Sequence, residues 1–160
     1  MIAVETDASD DWDSRTDWSA LAERAARAAA AQAGQEALTG EVSILFTSDA
    51  EVRALNAAWR QKDQPTNVLS FPMAAPDELA DAAMLGDIVL AHGVCAREAA
   101  AKPVAIETHA AHLVVHGMLH LLGYDHETGE AEAEEMEQIE RLALARLGIA
   151  DPYQVSEVQS

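Results

Sequence analysis

The run Leu113-Val-Val-His116-Gly-Met-Leu-His120-Leu-Leu-Gly123-Tyr-Asp-His126 decides how this chain folds. Leu113, Val114, Val115, Met118, Leu119, Leu121 and Leu122 leave little polar surface on any side, so the segment predicts a central, buried helix. Extended towards the N-terminus it takes in His112 and His109, and Pro103 is expected in its first turn, where the missing amide proton costs nothing. Imidazoles buried in such a helix need partners. His116 and His120 lie four residues apart, almost one above the other at ~3.6 residues per turn, so their rings can converge on one metal ion. His109 and His112 are expected to hydrogen-bond within the structure. Gly123 can take left-handed backbone angles, end the helix and turn the chain back, which brings His126 round as a third ligand. Three protein ligands leave one coordination position open, as in catalytic zinc, whose bound water has a pKa of ~7. Zinc is the expected cofactor, one ion per chain, although all-nitrogen ligation also accepts nickel or copper.

The spacing His-x3-His-x2-Gly-x2-His is also that of a zinc-protease pattern in which glutamate follows the first histidine. Position 117 is glycine here, so the general base of that chemistry is missing. The sequence from His116 to His126 resembles the signature of the YbeY family of bacterial endoribonucleases. A second stretch supports the resemblance independently: Leu55-Asn-Ala-Ala-Trp-Arg60-Gln-Lys-Asp-Gln-Pro-Thr-Asn-Val-Leu-Ser-Phe-Pro72. A shorter piece, Gly86-Asp-Ile-Val-Leu, falls between them, and the three together span roughly residues 41 to 147 in matching order. The resemblance implies a single-strand-specific, zinc-dependent endoribonuclease acting in ribosomal RNA processing, in 3′ end maturation of small-subunit RNA and in ribosome quality control. Its partners would be single-stranded ribosomal RNA and ribosomal particles or ribosome-associated proteins. By motif, Arg60 matches an arginine that matters for function in that family, and the resemblance adds it to His116 as a candidate catalytic residue. A guanidinium is always charged and its planar fork matches two phosphate oxygens; the bland reading of Arg60 is a cap on the preceding helix. Asp125 is expected to orient a histidine rather than to move protons. Thr66, Asn67 and Ser70 either line a groove or serve a turn. The attacking group is either a metal-bound water or a ribose 2′-hydroxyl.

Charge cuts against an RNA substrate. The chain of 160 residues carries a formal charge of −18 with only ten basic residues, whereas phosphate binding draws on clustered Lys and Arg. Arg53, Arg60 and Lys62 nevertheless crowd one segment, so a local basic groove is compatible with an acidic exterior. Acidic residues gather at Asp7, Asp10, Asp11 and Asp13 and again between Asp125 and Glu140, where a solvated helix face is expected. Two other function classes remain open on the sequence. One is a zinc peptidase, opposed by Gly117; the other is a ribosome-biogenesis binding factor with a structural metal.

The length suits one domain over residues 1–160, with a frayed tail after about Pro152. No apolar run approaches the ~20 residues of a membrane span, the acidic first residues do not read as a secretory signal, and Cys95 has no partner for a disulfide. A cytoplasmic location, with Cys95 as a small buried hydrophobe, is the expectation. Along the chain, Ile2–Thr6 reads as a strand and Trp18–Ala33 as an alanine-rich helix capped by Asp17. Glu41–Thr47 alternates as a strand, and Ser48 or Asp49 caps a helix to Trp59. Val68–Phe71 and Asp87–Ala91 are short strands, Met73–Leu85 a loop. A last amphipathic helix runs from Gly129 to Leu147 with Met136, Ile139, Leu142 and Leu147 inward. The fold class is therefore α+β: a small mixed sheet of about four strands packed with about five helices, the central one carrying the histidines.

Overall fold

The computed structural model describes residues 1–124 and 129–150. In chain order it contains β1 (Ala3–Ala8), α1 (Trp18–Gln32), β2 (Glu41–Thr47), α2 (Asp49–Arg60), β3 (Val68–Pro72), a 3-10 turn (Pro76–Asp81), β4 (Met84–Ala91), α3 (His92–Ala101), α4 (Ile106–Leu121) and α5 (Glu130–Arg146). The four strands form one mixed sheet in the order β1-β2-β4-β3. β1 and β4 flank β2 in parallel, and β3 runs antiparallel to β4 along one edge. The chain adopts the expected α+β class, with four strands and five helices among the described residues.

Side-chain alternation in β2 sets the two faces of the sheet. Val42, Ile44 and Phe46 are buried in the main core with α4, α1 and α5. On the opposite face Leu45 joins Val52, Leu55, Leu69, Val89 and Ala91 in a smaller cluster under α2. α4 packs against β3 and β4 of the sheet and against α1, α3 and α5, and His109, Leu113, Val114, Val115, Met118 and Leu119 are all buried. A helix apolar on most of its circumference has this as its stable place. Among the described residues no helix is long and apolar enough to cross a membrane.

Local signals set several ends as expected. The Asp17 carboxylate accepts from the amide of Ala20 at the start of α1 at 3.0 Å, and the Ser48 hydroxyl caps α2 through the amide of Glu51 at 3.2 Å. Trp12, in the loop after β1, is buried: its indole N–H donates to the carbonyl of Thr47 at 2.9 Å, and its ring meets Trp18 edge-on at 4.9 Å.

Three expectations are corrected. Pro103 does not open the central helix, which begins at Ile106. It follows the end of α3, where the Val104 amide folds back to the carbonyl of Ala99 at 3.0 Å, so the proline stops one helix rather than starting the next. The strand read as Asp87–Ala91 begins at Met84, and the preceding loop contains the 3-10 turn. Gly86 is not a strand boundary; the register with β2 shifts there, from Glu41 opposite Met84 to Val42 opposite Gly86. The glycine sits in a bulge at φ +149°, where an added Cβ would collide with the carbonyl oxygen of Phe71 and approach Leu121 to 2.7 Å. Finally, Leu142 is 41 % exposed, and the buried stripe of α5 is Met136, Glu140, Ala143 and Leu144.

Candidate metal centre and active-site cleft

His109, His112, His116 and His120 recur every three or four residues and so form one stripe along α4. That stripe faces an open cleft of about 820 Å³ whose opposite wall is built from β3 and the segment before it, including Arg60, Thr66, Asn67 and Ser70. The sequence candidates Arg60, His116 and His120 are thus brought into one cavity. His126, the third predicted ligand, and Asp125 lie outside the described residues.

The Nε2 atoms of His116 and His120 are 3.0 Å apart. Two imidazoles on one tetrahedral zinc, each bound at ~2.0–2.1 Å, hold their nitrogens ~3.3 Å apart, so the pair fits a shared metal with a small opening movement. No group of three or more ligating side chains occurs among the described residues, and the fit therefore rests on the paired nitrogens and their support. That support is Glu140, only 1 % exposed. One carboxylate oxygen meets His116 Nδ1 at 2.5 Å and the other meets His112 Nε2 at 3.1 Å. An ionised carboxylate accepts from Nδ1–H, which leaves the lone pair of His116 on Nε2, turned towards His120. Metal-binding histidines characteristically have such a partner behind them.

Glu140 was missed in the sequence because it belongs to an acidic run that reads as a solvated face. Its signal was periodicity: it lies four residues beyond Met136 and four before Leu144, on the apolar stripe of α5. A carboxylate there is buried with partners, because an unpaired buried charge would be far too costly.

Gly123 ends the helix in the left-handed region, as its position predicted. With φ +101° it follows the last turn of α4, where its own amide bonds the carbonyl of His120 at 3.0 Å and that of Tyr124 bonds Leu119 at 3.0 Å. Gly117 has a different reason to be glycine. A Cβ there would stand 3.0 Å from both Ile88 Cγ2 and Ser70 Oγ, so position 117 is pressed against the sheet rather than turned into the cleft. A larger side chain there would press on Ile88 and Ser70, and position 117 offers no carboxylate to act as the general base of the protease pattern.

The other polar groups of the cleft sort by their partners. Asn67 donates to the Glu98 carboxylate at 3.0 Å and accepts from the amide of Val68 at 2.7 Å, so it serves the turn into β3. Glu98 also holds His109 Nε2 at 2.8 Å, as expected of a histidine bonded within the structure. Burial pushes the His109 pKa down, against the opposing pull of Glu98. Burial drives the Cys95 thiol up to about 12, in keeping with its place as a small, wholly buried side chain of the core. Arg53 is paired with Asp63 at 2.7 Å and Arg97 with Asp49 at 3.4 Å. Arg60 forms no ion pair among the described residues. Its guanidinium reaches away from its own helix to the carbonyl of Ser70 at 3.4 Å, a long contact that leaves most of its donors to the cleft. Lys102 lines the same cavity.

Comparison with known proteins adds an independent line. The chain is 57 % identical to the endoribonuclease YbeY of Novosphingobium aromaticivorans, an alignment covering 96 % of this chain and 97 % of that one. It is 52 % identical to the endoribonuclease YbeY of Rhizorhabdus wittichii, covering 98 % and 99 %. Among solved structures, that of TM1509 from Thermotoga maritima matches with a TM-score of 0.58 over 92 % of this chain and 91 % of that one, at 24 % identity, which speaks for the fold alone. The family model described as endoribonuclease YbeY matches residues 4–148. Since that span takes in all of the sheet but its first residue, the cleft and every histidine of α4, the chain belongs to the endoribonuclease YbeY family.

Proposed function

We propose that this chain is a zinc-dependent endoribonuclease that cuts single-stranded RNA, acting in the cytoplasm on ribosomal RNA, including 3′ end maturation of the small-subunit RNA, and in ribosome quality control. The observation that carries the proposal is the convergence of His116 Nε2 and His120 Nε2 at 3.0 Å in a cleft whose facing wall presents Arg60. The endoribonuclease name of its relatives supports the reaction class. His116, His120 and, by its place in the motif, His126 would hold the ion. Zinc when bound supplies a water of pKa ~7 and a Lewis acid for phosphate oxygen.

The chain's own residues do the rest. Glu140 keeps the His116 ring turned with Nε2 towards the cleft. Arg60 offers a guanidinium to the negative charge that grows on phosphate oxygens as the backbone is attacked. Lys102 adds a second positive charge to a lining whose one carboxylate, Glu98, is engaged by Asn67 and His109, within a chain of net charge −18. With most of the exterior repelling phosphate, affinity for isolated RNA is expected to be weak, with a ribosomal particle or ribosome-associated protein supplying further contacts.

The test is zinc content and cleavage of a single-stranded ribosomal RNA fragment on one preparation, with His116→Ala and Arg60→Ala beside it. His116→Ala should lose most of its zinc and its cleavage. Arg60→Ala should keep zinc and melting temperature while cleaving at least ten-fold more slowly. Full zinc retention in His116→Ala would refute the metal site, and undiminished cleavage by Arg60→Ala would return that side chain to a surface role.

A further inference from the structure

Trp59 is left over by the chemistry above. The chain has three tryptophans. Trp12 and Trp18 are 2 % and 5 % exposed, whereas Trp59 is 72 % exposed. Its position on the helix makes this more than a chance surface residue. At ~100° per residue, Trp59 falls within about 20° of Val52 around the axis of α2, and Val52 is wholly buried against the sheet. The stripe that packs α2 on the sheet therefore carries the indole beyond the area the sheet covers. The helix ends one residue later at Arg60, which reaches the edge strand β3 and lines the cleft. Met73, also largely exposed, directly follows Pro72, which lines the cleft.

A large aromatic surface held in water one residue before the guanidinium that lines the cleft, and outside the cleft's own lining, suits one ligand class particularly well. Unpaired nucleobases present a flat face that stacks on indole, and their own phosphates lie one bond set away for a neighbouring cation. Bases inside a duplex have both faces already stacked and offer none. We propose that Trp59 is the stacking platform for an unpaired base adjacent to the phosphate engaged by Arg60, and that this contact gives the cleft its preference for single strands. The inference rests on the ribonuclease reading above.

The experiment uses the zinc-loaded full chain and a single-stranded 2′-O-methyl oligonucleotide, which cannot be cut by its own 2′-hydroxyl and whose full length is verified after each titration, so that binding is read on intact strand. Because the other two indoles are buried, acrylamide quenches chiefly Trp59, and the oligonucleotide should protect that emission. Trp59→Ala should bind the single strand roughly 5- to 150-fold more weakly, the range for loss of one base stack, and Trp59→Phe should recover most of it. An abasic oligonucleotide of the same length, and a duplex of the same sequence, should bind wild type and Trp59→Ala alike. Unchanged thermal melting of Trp59→Ala is expected for so exposed a side chain. Single-strand binding within two-fold of wild type, or an equal loss towards the abasic strand, overturns the stacking role while wild-type cleavage of RNA leaves the ribonuclease reading standing. A wild-type chain that neither binds nor cuts single-stranded RNA overturns both.

Discussion

Replacing Glu140 with glutamine keeps its shape and removes its charge. The carboxylate now accepts from His116 Nδ1 at 2.5 Å and from His112 Nε2 at 3.1 Å, in a site only 1 % exposed. An amide has one accepting oxygen, so the side chain of Glu140→Gln can satisfy one of those ring N–H groups while its NH2 confronts the other. One charge-assisted hydrogen bond is lost, at about 1.5–3 kcal/mol. For a chain of this length each kcal/mol moves the melting temperature by about 2–4 °C, so the metal-free protein should melt roughly 3–12 °C lower. The metal should report more specifically. A histidine ligand that loses the partner behind it loses its fixed orientation, and such changes typically cost 10- to 100-fold in metal affinity, equivalent to about 1.4–2.8 kcal/mol. Competition for zinc against a chelator of known affinity, below the melting temperature of the variant, measures this directly. A zinc Kd within two-fold of wild type would refute the reasoning, because it would mean that His116 is aimed without Glu140.

Two further outcomes test the scaffold and its titration. Gly86→Ala places a Cβ against the carbonyl of Phe71 and 2.7 Å from Leu121 at φ +149°, so backbone strain and overpacking together should cost about 3 kcal/mol; denaturant unfolding that shows less than about 1 kcal/mol would contradict the bulge. Burial holds the His109 pKa below its ordinary 6.5, so the native state binds fewer protons there than the unfolded chain, and the stability it contributes is full above 6.5 and lost as pH falls through the lower native value. His109→Gln should therefore flatten that part of the stability-versus-pH curve, and identical slopes for variant and wild type below pH 6.5 would count against it.

The parts of this protein legible in the sequence are those set by short-range periodicity. The apolar circumference of Leu113–Leu122 announced a buried helix, the i, i+4 spacing of His116 and His120 announced converging rings, and Asp17, Ser48 and Gly123 marked helix ends, because caps and turns are satisfied by groups within a few residues of one another. Arg60 entered through a resemblance of motif, and the structure adds why it is available: Arg53, in the same basic segment, is bound to Asp63 across a turn. What the sequence could not settle is which groups meet across long separations. Whether Glu140 faces water or two histidines depends on how α5 docks on α4, just as the exposure of Leu142 in place of Ala143 and Leu144 depends on the same docking. Gly117 and Gly86 are likewise explained only by what lies opposite, the sheet under α4 and the carbonyl of Phe71. Local sequence chooses each element and its apolar stripe; packing decides which polar residue on that stripe is buried, and there the need to pair every buried charge creates the site.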